Sequence, residues 1–216
     1  MGVSLMLNYR EQASWPNAFG QQQSPIRLSS TLGANEGPSL PIMVKRSPLL
    51  TTVTNDQTTI MVIGNGTTQF FNRPSAFQQV HFHIPAEHVV DGHQAAMEIH
   101  LVHETGIGQK TVVALFAELG ANNQPLQRLI DAFDAAAAVP VNLPLTDWLP
   151  RTPRGFHYLG SLTTPPLSEG VEWFVITNAA VTLSQDQLDW WQAHFPANNR
   201  ALQPLNERIV ERYGVK

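Results

Sequence analysis

The sequence predicts a mainly β fold, a single domain over residues 1–216 built on a central, largely antiparallel twisted sheet with a few short peripheral helices. Three observations predict it. The chain has 216 residues, 43% of them hydrophobic, which suffices for one sizeable core and would be cramped for two. Its 16 prolines and 14 glycines are scattered among short apolar runs, as in a fold of many strands joined by turns. Apart from Pro-rich turns such as Gly37-Pro38 and the stretch 140–153, no repeat, low-complexity tract or linker interrupts it.

Taken in order, strands are expected near 58–63, 78–84, 95–103, 111–119 and 171–177, each β-branched or alternating and bounded by Gly, Asn, Asp or Pro. Two helices are expected. One covers 125–138, with Pro125 in its first turn and Leu126, Leu129, Ile130 and Phe133 at helical spacing. The other covers 184–194, opened by Ser184-x-x-Gln187 as a capping box. Residues before 60 and after 196 have weak periodicity and read as irregular chain wrapped on the sheet.

Charge and composition narrow the function. A net charge of −4 without any cluster of Lys or Arg argues against nucleic acid or an anionic membrane, because phosphate binding needs a concentrated positive field. A small molecule is the expected partner. With no cysteine, a disulfide framework and a thiolate metal site are both ruled out, so a transition metal would need nitrogen or oxygen ligands. The opening MGVSLMLN has neither a basic region nor a long apolar run, which favours the cytoplasm; a secreted form with its signal already removed would look the same.

Histidine is therefore the residue to follow. In Gln79-Val-His81-Phe-His83, strand alternation throws His81 and His83 to one face and Phe82 to the other. In Glu98-Ile-His100-Leu-Val102, the same period puts Glu98, His100 and Val102 together. If the two strands pair, three imidazoles converge. Three imidazoles with a fourth position open to water make a catalytic zinc site, whereas structural sites close all four positions. One His-x-His pair is expected by chance roughly 0.3 times at this composition, so the pair alone is weak. The second strand strengthens it, because Gln79 and Glu98 are spaced to accept the remaining imidazole N–H groups. His88, His93, His103, His157 and His194 fit no such pattern and read as surface or core residues.

Three motifs then stand in order: His81-Phe-His-Ile-Pro-Ala-Glu87-His88, Met97-Glu-Ile-His-Leu-Val-His103 and Gly160-Ser-Leu-Thr-Thr-Pro-Pro166. With Gln23-Ser-Pro-Ile26, Ser168-Glu-Gly-Val-Glu-Trp173 and Asn198-Asn-Arg-Ala-Leu-Gln-Pro-Leu205, they resemble the alpha-class carbonic anhydrases over most of residues 14–206. The resemblance implies zinc on His81, His83 and His100. It implies outer partners Gln79 for His81, the Asn199 region for His83 and Glu98 for His100. It implies Thr163 as gatekeeper held by Glu87, and a carbon dioxide pocket of Val102, Val112, Leu162, Val171 and Trp173 with Thr164 at its mouth.

The activity so implied is reversible hydration of carbon dioxide to bicarbonate and a proton, with esters as side substrates, sulfonamides and anions as inhibitors, and a homodimer as one possible assembly. A non-catalytic binding module of the same family, or a zinc hydrolase acting mainly on esters, is the alternative. The chain also departs from the family. The stretch between Gly64-Asn-Gly-Thr67 and His81 is short, so residues 70–78 must cover a missing rim hairpin. Phe70, Phe71 and Phe77 are expected in the core, with a partner surface as the other reading. The proton-shuttle histidine aligns with Thr67, and Leu167 stands where secreted bacterial relatives often carry a cysteine.

Overall fold

A computed structural model describes residues 7–16 and 20–215. After a short 3-10 helix, Tyr9–Ser14, the strands are β1 (Arg27–Leu28), β2 (Asn35–Gly37), β3 (Ile42–Asn55), β4 (Ile60–Phe70), β5 (Arg73–His83) and β6 (Val89–Val90). Then come β7 (Met97–Glu104), β8 (Lys110–Leu119), helix α1 (Gln124–Asp131), β9 (Val139–Pro144), β10 (Gly155–Ser161), β11 (Glu169–Leu183), helix α2 (Gln185–His194) and β12 (Val210–Tyr213). Ten strands form one sheet in the order β2-β12-β10-β11-β8-β7-β5-β4-β3-β9. Its neighbours are antiparallel except β11 on β8 and β12 on β2, which run parallel. The fold is the expected mainly β one, on a mixed sheet.

The two faces of the sheet have separate cores because side chains alternate along each strand. One face carries Val80, Phe82, Ile99, Leu101, Val113, Leu115, Phe174 and Ile176, covered by Leu126, Leu129 and Ile130 of α1 and by Leu188 and Trp191 of α2. The other carries Val102, Val112, Ala114, Val171, Trp173 and Val175, with Phe156 and Tyr158. This second face is the one on which His81, His83 and His100 project, by their place in the alternation.

Several sequence expectations need correction. Residues before 60 are not irregular chain: Ile42–Asn55 is a long strand, paired with β4 along its length and with β9 at Leu49–Val53. Its alternation is hidden because most of its first half is exposed, Pro48 falls within it, and its register with β4 shifts three times. The chain after 196 likewise returns to the sheet as Val210–Tyr213. Helix α1 stops at Asp131 rather than running to 138. Asp134 takes the N–H groups of Ala136 and Ala137 at 2.7 and 3.2 Å, a local bond that competes with the helix.

Helix α2 starts where expected. Ser184 Oγ accepts from Gln187 N–H, and Gln187 Oε1 accepts from Ser184 N–H. Gln187 does more than close that box. Its Oε1 also accepts from Asn123 N–H at 3.0 Å and its Nε2 donates to Asn123 O at 2.8 Å, tying α2 to the residue that caps α1. Residues 70–78 form no separate cover. They hold the hairpin turn at Phe71-Asn72 and the start of β5, where Phe70 and Phe77 are 1% and 2% exposed while Phe71 is 40% exposed against the His157 ring.

His103 lies on the helix-covered face, fully buried between the Phe70 and Phe77 rings, with its Nδ1–H donated to Leu101 O at 3.1 Å and its Nε2 without a partner. Burial pushes its pKa down from 6.5 to about 4, the carbonyl opposing. Below pH 6.5 the unfolded chain therefore binds a proton that the folded one refuses until about pH 4, and stability falls over that window. Denaturant titrations should show His103→Leu losing roughly 3 kcal/mol less than the parent chain between pH 6.5 and 4. Equal losses would mean that the ring titrates normally.

Candidate metal centre

Strand register builds the centre. β5 and β7 pair antiparallel with His81 opposite His100, His83 opposite Glu98 and Gln79 opposite Val102. The rows continue across the sheet: His100 faces Ala114 and then Val175, and Val102 faces Val112 and then Trp173. Small Ala114 beside His100 leaves the imidazole room, while the next row is apolar from Val102 through Val112 to Trp173. The rings converge, with centroids 4.5 Å apart for His83 and His100 and 5.1 Å for His81 with either of them.

Which nitrogens converge is decided by what holds the others. His81 Nδ1 lies 3.0 Å from Gln79 Oε1, His83 Nδ1 lies 2.8 Å from Asn198 O, and His100 Nε2 lies 2.8 Å from Glu98 Oε1. Each partner is an acceptor, so each of those nitrogens carries the proton. The lone pairs left over are His81 Nε2, His83 Nε2 and His100 Nδ1. The three residues offer ligand atoms all within 4.8 Å of one another. His83 Nε2 is buried without any hydrogen-bond partner, and His100 Nδ1 stands 3.3 Å from His81 Nε2.

These observations test the fit of a zinc ion. Two nitrogens bound at about 2.05 Å to a tetrahedral ion lie roughly 3.3 Å apart, the spacing of His100 Nδ1 and His81 Nε2. Buried lone pairs left facing one another are costly unless a cation sits among them. Burial, and then the neighbouring imidazoles, hold the His81 pKa well below its ordinary value, and burial chiefly lowers that of His83. Neutral rings are what a metal requires. His83 and His100 are 1% exposed and His81 is half-buried, so His81 marks the open side. The residues fit zinc.

Glu98 holds the other end. Burial would raise its pKa, but attraction to His88 and the hydrogen bonds from His100 and His88 outweigh that and hold the carboxyl well below the usual range. Its Oε2 accepts from the N–H groups of Glu87 and His88 at 2.8 and 2.7 Å, and its Oε1 takes His88 Nδ1 at 2.7 Å as well as His100. Glu87 in turn accepts Arg200 N–H on Oε1 at 2.8 Å, while its Oε2 is buried and unpartnered. Thr163, 5% exposed, follows β10 by two residues.

Two expected roles move to other residues. The acceptor for His83 is the Asn198 carbonyl, not Asn199, whose own carbonyl takes Gln12 Nε2 at 3.1 Å. Asn198 is also a clamp. Its Oδ1 accepts Ile84 N–H at 2.7 Å and its Nδ2 donates to Phe82 O and Thr58 O at 2.8 and 3.1 Å, fixing the end of β5. Thr67 does not stand beside the centre. It faces Ala76, five residues or roughly 17 Å along β5 from His81, whereas Met61 faces His81 itself. The one-residue error reflects adjacent asparagines that sequence cannot rank; the Thr67 error comes from counting along a stretch whose register slips between Ile63 and Thr67.

The apolar set comes together as expected. Val102, Val112, Val171 and Trp173 are buried in one cluster with half-buried Leu162 packed against it, and the Trp173 ring lies 4.9 Å from that of His100. Thr164 is half-buried beside them in sequence. Sequence reasoning missed His88, Tyr158, Ser24 and Arg200, all buried. Only a charged residue type at a fully buried place distinguishes Arg200, and that is a tertiary fact. His88 lay within a quoted motif, and its pairing with Glu98 across the turn could have been suspected.

Comparison with known proteins gives the same picture. A family model for eukaryotic-type carbonic anhydrases matches residues 10–214. A carbonic anhydrase of Pectobacterium atrosepticum is 34% identical over 197 residues, covering 88% of this chain and 80% of that protein. Among solved structures, an alpha-carbonic anhydrase of Photobacterium profundum superposes with a TM-score of 0.82 at 33% identity, over 90% of both chains. One from Thermovibrio ammonificans, in complex with the inhibitor sulfanilamide, gives 0.82 at 32% identity over 90% of this chain and 88% of that one.

Gln79→Ala removes the acceptor for the His81 proton and leaves the three ligands in place. Chelator competition should read zinc affinity lower by about tenfold, the lower end of what loss of such a partner costs, carbonic anhydrases included. Unchanged affinity would show that Gln79 orients nothing.

Proposed function

The chain belongs to the eukaryotic-type, alpha-class carbonic anhydrases, lyases that hydrate carbon dioxide, and from that premise we propose that it works with zinc held by His81 Nε2, His83 Nε2 and His100 Nδ1. One observation carries the proposal: one ligand atom from each of the three rings lies within 4.8 Å of the others, and a nitrogen of each ring is already held by an acceptor, which leaves the other nitrogen for a metal. Zinc there would supply a Lewis acid that lowers the pKa of bound water to about 7, a value known from carbonic anhydrases themselves.

The protein's own groups then orient and shelter the reaction. Glu87 keeps one carboxylate oxygen on Arg200 N–H, and its second is buried and unpartnered; on this reading that second oxygen is the acceptor kept for the Thr163 hydroxyl proton. A hydroxyl has one proton to give, so Thr163 Oγ1 can then only accept, and the water that reacts must aim its own proton there. That leaves the reacting lone pair pointed at the substrate, an orientation effect. Carbon dioxide is small and apolar, and Val102, Val112, Leu162, Val171 and Trp173 give it a dry wall beside His100, with Thr164 at the mouth. Ala114 opposite His100 keeps that wall from crowding the ring. Sulfonamides and inorganic anions are inhibitors on this reading, supported by the sulfanilamide complex of the Thermovibrio relative.

A proton must also leave. Thr67 cannot relay it, and the histidines outside the centre are engaged elsewhere: His93 with Glu118, His157 with Glu211 and His194 with the Trp190 carbonyl. Export to solvent buffer then limits turnover.

Stopped-flow hydration of carbon dioxide tests the whole reading. The zinc-loaded chain should be active, and both the chelator-stripped chain and His100→Ala should be inactive; full activity after stripping would reject zinc. Thr163→Val should lower kcat/KM by about a hundredfold through lost orientation. Imidazole at pH 7 should raise kcat with little change in KM, and a rate indifferent to buffer concentration would reject export as the slow step.

A further inference from the structure

The metal face of the sheet does not end at His81. Beyond β5 lies β4, where Met61 stands opposite His81 and Ile63 opposite Gln79, while Val62 between them faces Val80. Val62 and Val80 are fully buried in the helix-covered core, so alternation turns Met61 and Ile63 to the other face, beside the imidazoles. Two rows of side chains therefore cross the sheet. One runs Met61, His81, His100, Ala114 and Val175, and the other Ile63, Gln79, Val102, Val112 and Trp173. The second row carries the wall assigned above to carbon dioxide and continues past Gln79 to an apolar end of its own.

Met61 and Ile63 belong to neither hydrophobic core. Ile63 is 45% exposed and Met61 is half-buried, on the side where His81 is itself half-buried and the centre opens. A lone exposed apolar residue is ordinary, but these two share one face with the metal ligands. Neither row contains Asp, Glu, Lys or Arg, so a charged group lying along them has nothing to pair with. Thr54, opposite Met61 on β3, gives its hydroxyl to the Met61 carbonyl at 2.9 Å and is engaged there.

We propose that Met61 and Ile63 form a ledge that takes the uncharged, apolar tail of a ligand whose head is held at the metal. The ligands of that class are aryl sulfonamides and aryl esters carrying an alkyl group, and the inference rests on zinc at His81, His83 and His100. Directly opposed residues on neighbouring strands lie about 5 Å apart and diagonal ones about 7 to 8 Å, a distance that an aryl ring covers. Carbon dioxide is too short to touch the ion and β4 together.

Solvation sets the preference for an apolar tail. Ile63 and the outer side of Met61 meet water until a ligand covers them, so an alkyl group removes apolar surface on both partners. A charged or hydroxylated tail would give up its water there and gain no partner. Gln79, between the two apolar stretches of its row, has Oε1 committed to His81 Nδ1 at 3.0 Å.

Benzenesulfonamide and 4-butylbenzenesulfonamide share a head and differ only in the tail, and calorimetry on the zinc-loaded chain reads the difference. The butyl compound should bind about tenfold more tightly, part of what full burial of its carbons would give. Met61→Gln keeps side-chain length and Ile63→Thr keeps β-branching, and each should cut the gain to about threefold or less. Ile107→Thr, at a 91% exposed position in the turn between β7 and β8, should retain the full gain. In methyl NMR spectra of the loaded chain, the butyl compound should shift the Ile63 signals and benzenesulfonamide should leave them in place.

Should Met61→Gln fail to fold, Ile63→Thr at its half-exposed position gives the same reading. A gain that survives both substitutions would put the tail on the Val102 and Leu162 side and overturn the proposal. Equal affinities of the parent chain for the two compounds would overturn the ledge alone. Binding of neither compound would overturn the ledge together with the metal assignment.

Discussion

Register between β5 and β7 is the constraint on which the rest depends. His81 faces His100 directly, and His83 stands two residues along on the same face. A slip of β5 by one residue would turn His81 and His83 to the helix-covered side, away from His100, and bring Phe82 to the site. What resists such a slip is burial. Val80, Phe82, Ile99 and Leu101 are fully enclosed on the opposite face, so the same hydrophobic packing that stabilises the sheet also aligns the ligands. The Asn198 side chain adds a polar lock at the end of β5, bonding on both sides of His83.

Around that register the polar groups form a one-directional arrangement. Each ligand ring has one nitrogen bound to an acceptor, and the acceptors differ in kind: an amide, a backbone carbonyl and a carboxylate. The carboxylate is the costly one, because a buried charge is tolerated only when fully hydrogen-bonded. Glu98 meets that condition with four contacts, two from backbone N–H groups that cannot reverse. Its charge therefore strengthens His100 as a donor to a metal at no loss of solvation partners. Glu87 is the counter-example, with Oε2 left unmatched beside the same centre, and an unmatched buried oxygen at such a place marks a group with a function.

The sequence made the centre more legible than the architecture around it. His81, His83, His100, Gln79 and Glu98 are close in sequence within two strands, and a period of two is enough to place them on one face. The strands that carry core residues on both faces, such as Met97–Glu104, were equally plain, as was the capped start of α2. Ile42–Asn55 was illegible because an exposed, bulged strand with Pro48 inside it has no clean alternation, and its partners β4 and β9 rather than its own residues hold it extended. The extension of α1 past Asp131 failed for the opposite reason. An alanine run has helical propensity, but Asp134 captured the backbone first.

What the sequence determined by itself is which faces and which chemistry: three imidazoles without cysteine, apolar residues two apart from them, and motifs spaced as in the carbonic anhydrases. Those are local facts, fixed by alternation and residue type. Only the tertiary structure decided that Asn198 rather than Asn199 holds His83, that Thr67 lies far from the metal ligands, and that Met61 and Ile63 stand beside His81 and Gln79. Each of these joins residues distant in the chain, or depends on where a strand slips its register, and neither is encoded in a periodicity; packing alone sets them.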